Sequence, residues 1–442
     1  MFYLNREVEL SAALLQKMIN KFHVEVEPKL NKRKHYYDGI QKILSKSYTD
    51  ETKPCSRTVI NYCKNIVDSY AGYMATPGYI SYSSNDDIED VMDILRYNDY
   101  QTEDADFLLD ALVYGVAAEL MYIDNSGHTR FSLINPCSCF GIYDDSLAND
   151  LLYFVRMYKV NEWDDTNMYY VDVYSDYSVK RYTMAGHNGH VNFLSEEPHY
   201  FSQCPANIFM LPDEKGIFDC IIELQDAANE ILSSEIDDFS AFCDAYLVLM
   251  GVDAERDDIL RMKEDRVIIL PPDATASWLT KSAIDTQVEN ILKRIHDSIY
   301  RIASCVDFSS ESFTGGVSSG VAIRFKLCGM ETRAGIIEGR MKKALQRRIE
   351  IIAGIASLKL GESVFRDVRI DFARNVPEDM NATLSLVNAL KGTVSDSTLL
   401  SQLGFIDDVN AELEAVQKQK EANMEMYGFP APGNTDEEDD EE

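Results

Sequence analysis

The segment Gly316–Gly320 is the stretch of this chain whose residue types and spacing come closest to a catalytic motif. It fits the Gly-x-Ser-x-Gly pattern of hydrolases, in which the serine sits on a strand-to-helix turn and its acid and histidine follow later in the chain. The last histidine is His296, which precedes Ser318. Because no base follows the serine and so short a pattern often occurs by chance, we interpret the segment as a flexible Gly/Ser loop.

The same loop lacks the chemistry of a phosphate-binding loop. Gly315 and Gly316 can turn backbone N–H groups towards an anion. A P-loop, however, ends in Gly-Lys-Ser/Thr, and its lysine reaches the β- and γ-phosphates. The corresponding residues here are Gly320, Val321 and Ala322. The sequence therefore predicts neither a nucleotide site nor a cofactor.

Two groups of residues have the types that bind metals but not the spacing. One is Cys137 and Cys139 with His128. The other is a histidine trio around an Asn-Gly turn, namely His187, His190 and His199. Structural zinc sites usually present two ligand pairs at short, regular spacing. Hairpin residues and buried thiols explain both groups better, so the sequence predicts no metal site.

The charge of the chain restricts its partners. Its 74 acidic residues outnumber the 42 lysines and arginines, which gives a net charge of −32 over 442 residues. Proteins that read DNA sequence or bind anionic membranes use clustered cations, so the composition argues against both classes. It is compatible with a protein that lets DNA pass without holding it.

The length and the cysteines give further limits. A chain of 442 residues is expected to form two or three structural units. Its nine cysteines are scattered without a Cys-x-x-Cys pair, which is typical of reduced thiols in a cytosol. Apolar runs are far shorter than the ~18 residues that cross a bilayer. The sequence predicts neither an export signal nor a transmembrane helix.

Hydrophobic periodicity predicts an α+β fold. A helix is expected from Arg57 to about Met74, and residues 119–210 read as short antiparallel strands rich in Tyr, Val and Phe. Three long helices are predicted over 218–242, 284–304 and about 321–358. An isoleucine seam on the second long helix fits packing within one subunit and packing between subunits equally well.

The long helices differ in charge. The first carries seven acids and no cation, whereas the third is rich in cations. An acidic helix repels a copy of itself unless it meets basic residues. We therefore hypothesise that the third helix pairs with the first helix of a neighbouring subunit. The proposed charge face comprises Arg333, Arg340, Lys342, Lys343, Arg347 and Arg348.

Short stretches spread over residues 36–403 carry a resemblance to a known family. They are Tyr36-Tyr37-Asp38-Gly39, Lys53-Pro54 through Arg57, Asn61-Tyr62, Ile66-Val67-Asp68 to Gly72-Tyr73, Ala245-Tyr246-Leu247-Val248, Ser318-Ser319-Gly320-Val321-Ala322, Arg374-Asn375 with Val376-Pro377, and Leu390-Lys391-Gly392 followed by Val394-Ser395 and Thr398-Leu399-Leu400. Each consists of common residues, but their order is specific. The sequence resembles the portal proteins of tailed bacteriophages, in particular the branch typified by a Bacillus siphophage portal.

The resemblance implies a non-enzymatic ring, usually of twelve subunits, at one vertex of the capsid. Double-stranded DNA passes through it without sequence-specific contacts. The implied partners are the terminase packaging motor, the head-tail adaptor, and the major capsid and scaffolding proteins. The ring assembles in the host cytoplasm, ends in the virion and involves no membrane. The alternatives are another phage structural or head-completion protein and a cytosolic hydrolase built on Ser318.

The resemblance also divides the chain into portal-like parts. They are N-terminal helices and an α/β wing (1–217), a first stem helix (218–242), a clip (243–283), a second stem helix (284–304), a tunnel loop (305–320), a long kinked helix returning to the wing (321–392), crown helices (393–429) and a disordered acidic tail (430–442). The implied DNA-facing residues are Glu311, Ser312, Phe313, Thr314, Gly315, Gly316, Val317, Ser318 and Ser319. The implied docking surface of the clip is Arg256, Asp257, Asp258, Arg261 and Lys263.

Overall fold

The computed structural model of this chain describes residues 2–49, 54–85, 87–159, 161, 163, 167–187, 189–243, 246–250, 275–279, 285–309, 320–356, 368–374, 387–395, 399–400, 413 and 415–419. The chain divides into two compact units. The first contains residues 1–308 and 327–375, and the second contains residues 309–326 and 376–442. In the second unit the described residues include short helical stretches at 387–390 and 415–419.

The N-terminal part begins with a strand that periodicity did not predict. Strand β1 (Phe2–Leu4) pairs in parallel with a later strand, with Phe2 opposite Ile142. Helix α1 (Ala12–Lys21) follows, and the Ser11 hydroxyl caps it by accepting a hydrogen bond from the Leu14 N–H. One π-helical turn (Phe22–Val26) joins α1 to helix α2 (Glu27–Tyr37).

Four elements then lead to the sheets, namely α3 (Tyr62–Met74), β2 (Ile80–Ser83), α4 (Glu89–Tyr97) and α5 (Tyr100–Tyr114). The prediction that the α3 helix starts at Arg57 is wrong. The helix begins at Tyr62, after Asn61 caps it by accepting from the Lys64 N–H. The residues before Asn61 are not helical, because their backbone groups bond to side chains of a later helix.

Residues 116–210 form antiparallel strands, as predicted for residues 119–210, and these strands belong to two sheets. The strands are β3 (Val116–Ile123), β4 (Thr129–Ile134), β5 (Cys139–Asp144), β6 (Leu151–Lys159), β7 (Met168–Tyr174), β8 (Ser178–Ala185), β9 (Val191–Pro198) and β10 (Ala206–Met210). One sheet has the order β1-β5-β6-β7-β8-β9 and the other has the order β10-β3-β4. Neighbouring strands are antiparallel except β1 and β5.

The three predicted long helices are present. They are α6 (Ile222–Cys243), α7 (Asp285–Ile302) and α8 (Gly320–Ala356). Between α6 and α7, strands β11 (Tyr246–Met250) and β12 (Thr275–Leu279) form an antiparallel pair. The sequence predicts two strands here, at Ala245–Val252 and Arg266–Leu270. β11 corresponds to the first, and the second lies outside the described residues. After α8, strand β13 (Arg369–Phe372) pairs antiparallel with β2.

The core of the first unit lies where helices cover the sheets. α5 contacts β3 and buries Phe107, Leu108 and Leu112, while α8 buries a stripe at helical spacing that includes Leu345 and Ile349. The mixture of helices and antiparallel strands confirms the α+β class. Within the described part of the chain, no helix is both long and apolar enough to cross a membrane.

Candidate functional site

The residues predicted to face DNA and to dock a partner lie outside the described part of the chain. They are Glu311, Ser312, Phe313, Thr314, Gly315, Gly316, Val317, Ser318 and Ser319 in the loop, and Arg256, Asp257, Asp258, Arg261 and Lys263 in the clip. The structure does describe the helices to which these segments attach: α6 and α7 flank the clip, and α7 and α8 flank the loop. We therefore take as the candidate site the side chains that hold α6, α7 and α8 in position.

Two side chains from other elements hold the C-terminal end of α7. Arg333 of α8 donates from Nη1 to the carbonyl oxygen of Ala303 and from Nη2 to that of Ile217, both at 2.8 Å. The Tyr70 hydroxyl donates to the carbonyl oxygens of Ala303 and Ser304 at 3.1 and 2.9 Å. The bonds to Ala303 and Ser304 satisfy carbonyl groups just beyond the helix end, where a cation also complements the helix dipole. Burial raises the pKa of Tyr70, so its hydroxyl keeps the proton that it donates.

Side chains of helix α6 form hydrogen bonds with the backbone of residues 56–62, an extended segment that ends at the first residue of α3. They take the place that the backbone of a neighbouring β-strand would have in a sheet. Four polar residues spaced four apart share one face of the helix and accept hydrogen bonds from every second backbone N–H of residues 56–62. The bonds run from Tyr62 to Gln225 Oε1 (3.0 Å), Ile60 to Asn229 Oδ1 (2.9 Å), Thr58 to Ser233 Oγ (3.0 Å) and Ser56 to Asp237 Oδ1 (2.5 Å). Four helical residues rise about 6 Å and two extended residues about 6.6 Å, so the two spacings match.

This series of hydrogen bonds, here called the ladder, is buried, and most of its polar groups have hydrogen-bond partners. The Gln225 amide returns a hydrogen bond to the Ile60 carbonyl oxygen, and the Asn229 amide donates to Gln41 Oε1. Gln225, Asn229 and Ser233 are completely buried. The ladder explains why Val59 and Ile60, which have helical spacing with α3, are extended. Its sequence signal is a polar residue at every fourth position of an otherwise amphipathic helix.

The acids of α6 and of the turn before it find partners within the same chain. Asp219 lies 2.6 Å from Nη2 of Arg33, and Asp226 accepts a hydrogen bond from the Tyr36 hydroxyl. Lys46 lies 3.4 Å from Asp237. Although burial opposes it, the Ser56 N–H and the Lys46 ammonium hold the pKa of Asp237 below its usual range. The expectation that these acids need basic residues of a neighbouring subunit is therefore wrong for Asp219 and Asp237, which have cations of the same chain beside them.

Arg348 lies at the centre of a buried ion cluster that links α8 to β3 and α5. Its Nε is 2.9 Å from both carboxylate oxygens of Glu119, and its Nη1 donates to Asp104. Its Nη2 lies 2.7 Å from Glu119 Oε2, at ion-pair distance but without hydrogen-bond alignment. The Tyr82 hydroxyl donates to Asp104, and the Asn207 amide donates to Glu119. Although burial opposes the charge, the two carboxylates keep the pKa of Arg348 well above its usual value.

The cluster corrects one residue of the predicted charge face. Arg348 is 0% exposed, so it cannot face a neighbouring subunit. Arg333 is also used internally, at the end of α7. Of the other predicted cations, Arg340 and Lys343 are exposed, Lys342 pairs with Glu338 and Arg347 pairs with Glu350. These four residues remain a prediction for a contact between subunits.

The isoleucines of the α7 seam lie in two environments, one buried within the chain and one exposed to solvent. Ile299 is fully buried in the chain, whereas Ile291 and Ile302 are 47% and 48% exposed. Phe239 near the end of α6 and Ile336 on α8 are also exposed. Single exposed apolar side chains are normal on a protein surface, and only a contiguous patch of them indicates an interface.

Comparisons with known proteins show which family this chain belongs to. Residues 17–426 match the family described as "Phage portal protein, SPP1 Gp6-like". The chain belongs to this family of phage portal proteins. A relative is the portal protein of Bacillus phage SPP1, which is 23% identical over 427 residues, a stretch that covers 90% of this chain and 82% of the relative. The resemblance over residues 36–403 is thereby confirmed, and phage portal proteins are structural components rather than enzymes.

Sequence reasoning missed three features of this portal protein: the Arg333–Ala303 bond, the side-chain ladder of α6 and the buried Arg348 cluster. The third had a usable signal. Glu119 is the only charged residue within the apolar strand β3, and Arg348 lies among the core residues of α8. An isolated charge in an apolar element generally needs a buried partner. The sequence alone could not identify which partner it would be.

Proposed function

We propose that this portal protein closes into a ring at one capsid vertex, of twelve subunits as the resemblance implies, and that double-stranded DNA passes along its axis during packaging and ejection. The observation that carries the proposal is the family match over residues 17–426, which includes α6, α7 and α8. In this proposal the ring docks the terminase motor first and the head-tail adaptor later, contacts the major capsid and scaffolding proteins, and becomes part of the virion.

The parts of the ring subunit follow the proposed division of the chain. Residues 1–217 serve as the wing, 218–242 and 284–304 as stem helices, and 243–283 as the clip that docks partners. The tunnel loop is 305–320, followed by the long helix and its return to the wing over 321–392, the crown over 393–429 and the acidic tail over 430–442. The pairing of β13 with β2 supports the return to the wing, and the β11–β12 pair supports a small lobe between the stem helices.

The charge of the chain supports passage rather than capture of DNA. Each subunit carries a net charge of −32. A wall with this balance does not collect the phosphate contacts that would slow a duplex, because each such contact requires a positive side chain. In this proposal Phe313 and Val317 of the tunnel loop lie near the duplex, and the clip residues Arg256 and Arg261 contribute to docking.

We place the contact between subunits on the exposed parts of the three long helices. The cations Arg340, Lys342, Lys343 and Arg347 of α8 would meet exposed acids of a neighbouring α6 such as Glu223. The exposed apolar residues would be covered in the same contact: Phe239, Ile291, Ile302 and Ile336. Apolar burial would supply the affinity, and complementary charge would fix the register.

The mass of the assembled wild-type protein tests ring formation, and two charge-reversal variants test the contact. Arg340→Glu with Lys343→Glu should shift the population towards smaller species, and the shift should depend on salt. The matched control is Lys17→Glu with Lys29→Glu, which changes the net charge equally at exposed positions of α1 and α2 and should assemble as wild type. If the α8 variant assembles like the control at every salt concentration, the charge contact is wrong while the ring remains. A wild-type protein of monomer mass would contradict the ring itself.

A further inference from the structure

We propose that His23, Glu27 and His187 form a binding site for a transition-metal ion of the Zn²⁺ type. His23 lies in the π-helical turn between α1 and α2, Glu27 begins α2, and His187 lies in the turn between β8 and β9. One potential ligand atom from each residue lies within 4.8 Å of the other two. The site does not depend on ring formation.

The three side chains are already arranged around one another. Nδ1 of His23 is 2.5 Å from Glu27 Oε2, and the His23 and His187 rings lie 4.9 Å apart in an edge-to-face arrangement. The Tyr169 hydroxyl is 3.1 Å from Nε2 of His187. Metal-bound histidines generally use one ring nitrogen for the metal and the other for such an orienting partner. Single π-helical turns also occur frequently at functional sites.

A buried nitrogen without a partner points to a missing ligand. The His23 side chain is only 10% exposed, and its Nε2 is buried with no hydrogen-bond partner in the described part of the chain. Leaving a buried polar atom unsatisfied destabilises a fold, so such atoms are rare and call for an explanation. A metal ion on His23 Nε2 would provide one, and the Glu27 carboxylate would stay on Nδ1 as the partner that orients the ring.

The donor set selects the class of ion. Two imidazole nitrogens suit Zn²⁺ and its neighbours in the first transition row, whereas Mg²⁺ and Ca²⁺ prefer oxygen ligands alone. Water would complete the coordination, because His187 is exposed. Binding requires a free lone pair on each coordinating nitrogen, so a proton held on that nitrogen would be released to solvent.

The metal would fasten the edge of the six-stranded sheet to the N-terminal helices. Strand β9 is the last strand of that sheet, and its Val191 N–H already donates to Gln16 Oε1 of α1 at 2.9 Å. The histidine trio considered in the sequence does not form this site. His199 bonds to the Ser175 carbonyl oxygen, and His190 is not part of the cluster.

Calorimetric titration of the full-length, chelator-treated protein with Zn²⁺ alone tests the site. Wild type should bind one ion per chain, and Mg²⁺ should give no binding. His187→Gln should weaken Zn²⁺ binding at least tenfold, and because His187 is exposed the variant is expected to fold. His190→Gln, an exposed control three residues away, should bind as wild type. Zn²⁺ should raise the unfolding temperature of wild type but not of His187→Gln.

Two results would overturn the proposal: no Zn²⁺ binding by wild type, or equal affinities for wild type and His187→Gln. Neither result would bear on the ring, because the assembly mass of the same samples is measured separately. A Glu27→Gln variant adds a second test. It keeps the size of the side chain but removes the carboxylate charge that orients His23 and strengthens it as a ligand, so Zn²⁺ affinity should fall while the fold is retained.

Discussion

Nε of Arg348 lies 2.9 Å from both carboxylate oxygens of Glu119, and both side chains are completely buried. The pair joins the C-terminal half of α8 to strand β3. Asp104 of α5 completes the cluster. Charges removed from water are tolerated only when their partners are well placed. The cluster therefore fixes the position of α8 on the sheet and the helices beneath it.

Removing the cation from this cluster should destabilise the fold strongly. Arg348→Met leaves the carboxylates of Glu119 and Asp104 buried without their partner, which costs about 3–5 kcal/mol. Arg340→Met is the matched control, because Arg340 is an exposed arginine on the same helix and surface changes usually stay within about 0.5 kcal/mol. Urea unfolding of both variants measures the difference. Equal midpoints would show that the cluster does not hold α8 in place.

The α6 ladder makes a separate prediction about the segment before α3. Asn229→Ala removes the acceptor of the Ile60 N–H and the donor to Gln41. Leaving buried groups unpaired costs about 1–3 kcal/mol. Amide exchange at Ile60 should accelerate together with the loss of stability. Glu223→Ala, at an exposed position of the same helix, should change neither quantity. Unchanged exchange at Ile60 in Asn229→Ala would mean that the ladder does not hold the segment.

The ionisation of Asp110 makes the free energy of unfolding depend on pH, and the direction of the change can be predicted. Burial, and then repulsion from Asp106, raise the pKa of Asp110 to about 6, although Lys34 opposes the shift. A carboxyl group whose pKa is raised by folding is harder to ionise in the folded state. Its destabilising effect is absent at pH values below its ordinary pKa of 3.8. The effect grows as the pH rises from 3.8 to about 6 and is complete above about pH 6.

Replacing Asp110 with a neutral isostere tests this directly. Asp110→Asn should stabilise the protein by about 1–3 kcal/mol near pH 8, and the gain should shrink towards zero near pH 4. Free energies of unfolding are measured for wild type and variant across this range. A difference that does not change with pH would show that Asp110 does not ionise with a raised pKa.

The long helices could be predicted from sequence because their apolar residues repeat at helical spacing over many turns. The beginning of α3 could not. Val59 and Ile60 continue the helical spacing of Cys63 and Ile66, but four side chains of α6 hold the segment in an extended form. Local periodicity carries no information about a partner some 170 residues away in the chain.

The same limit applies to the candidate sites. The sequence places His187 near His190 and His199, although the residues that meet it in space are His23 and Glu27. The basic composition of its helix predicts a surface position for Arg348, although its side chain is internal. Composition predicted the charge of each helix. Tertiary packing decided which charges remain on the surface, and this could not be read from spacing.

Electron micrographs of the purified wild-type protein, viewed along the axis of the particle, test the central claim most directly. We expect closed rings of a uniform subunit number with an open centre wide enough for a DNA duplex. Particles that are compact monomers, open sheets or closed shells under every assembly condition would contradict it.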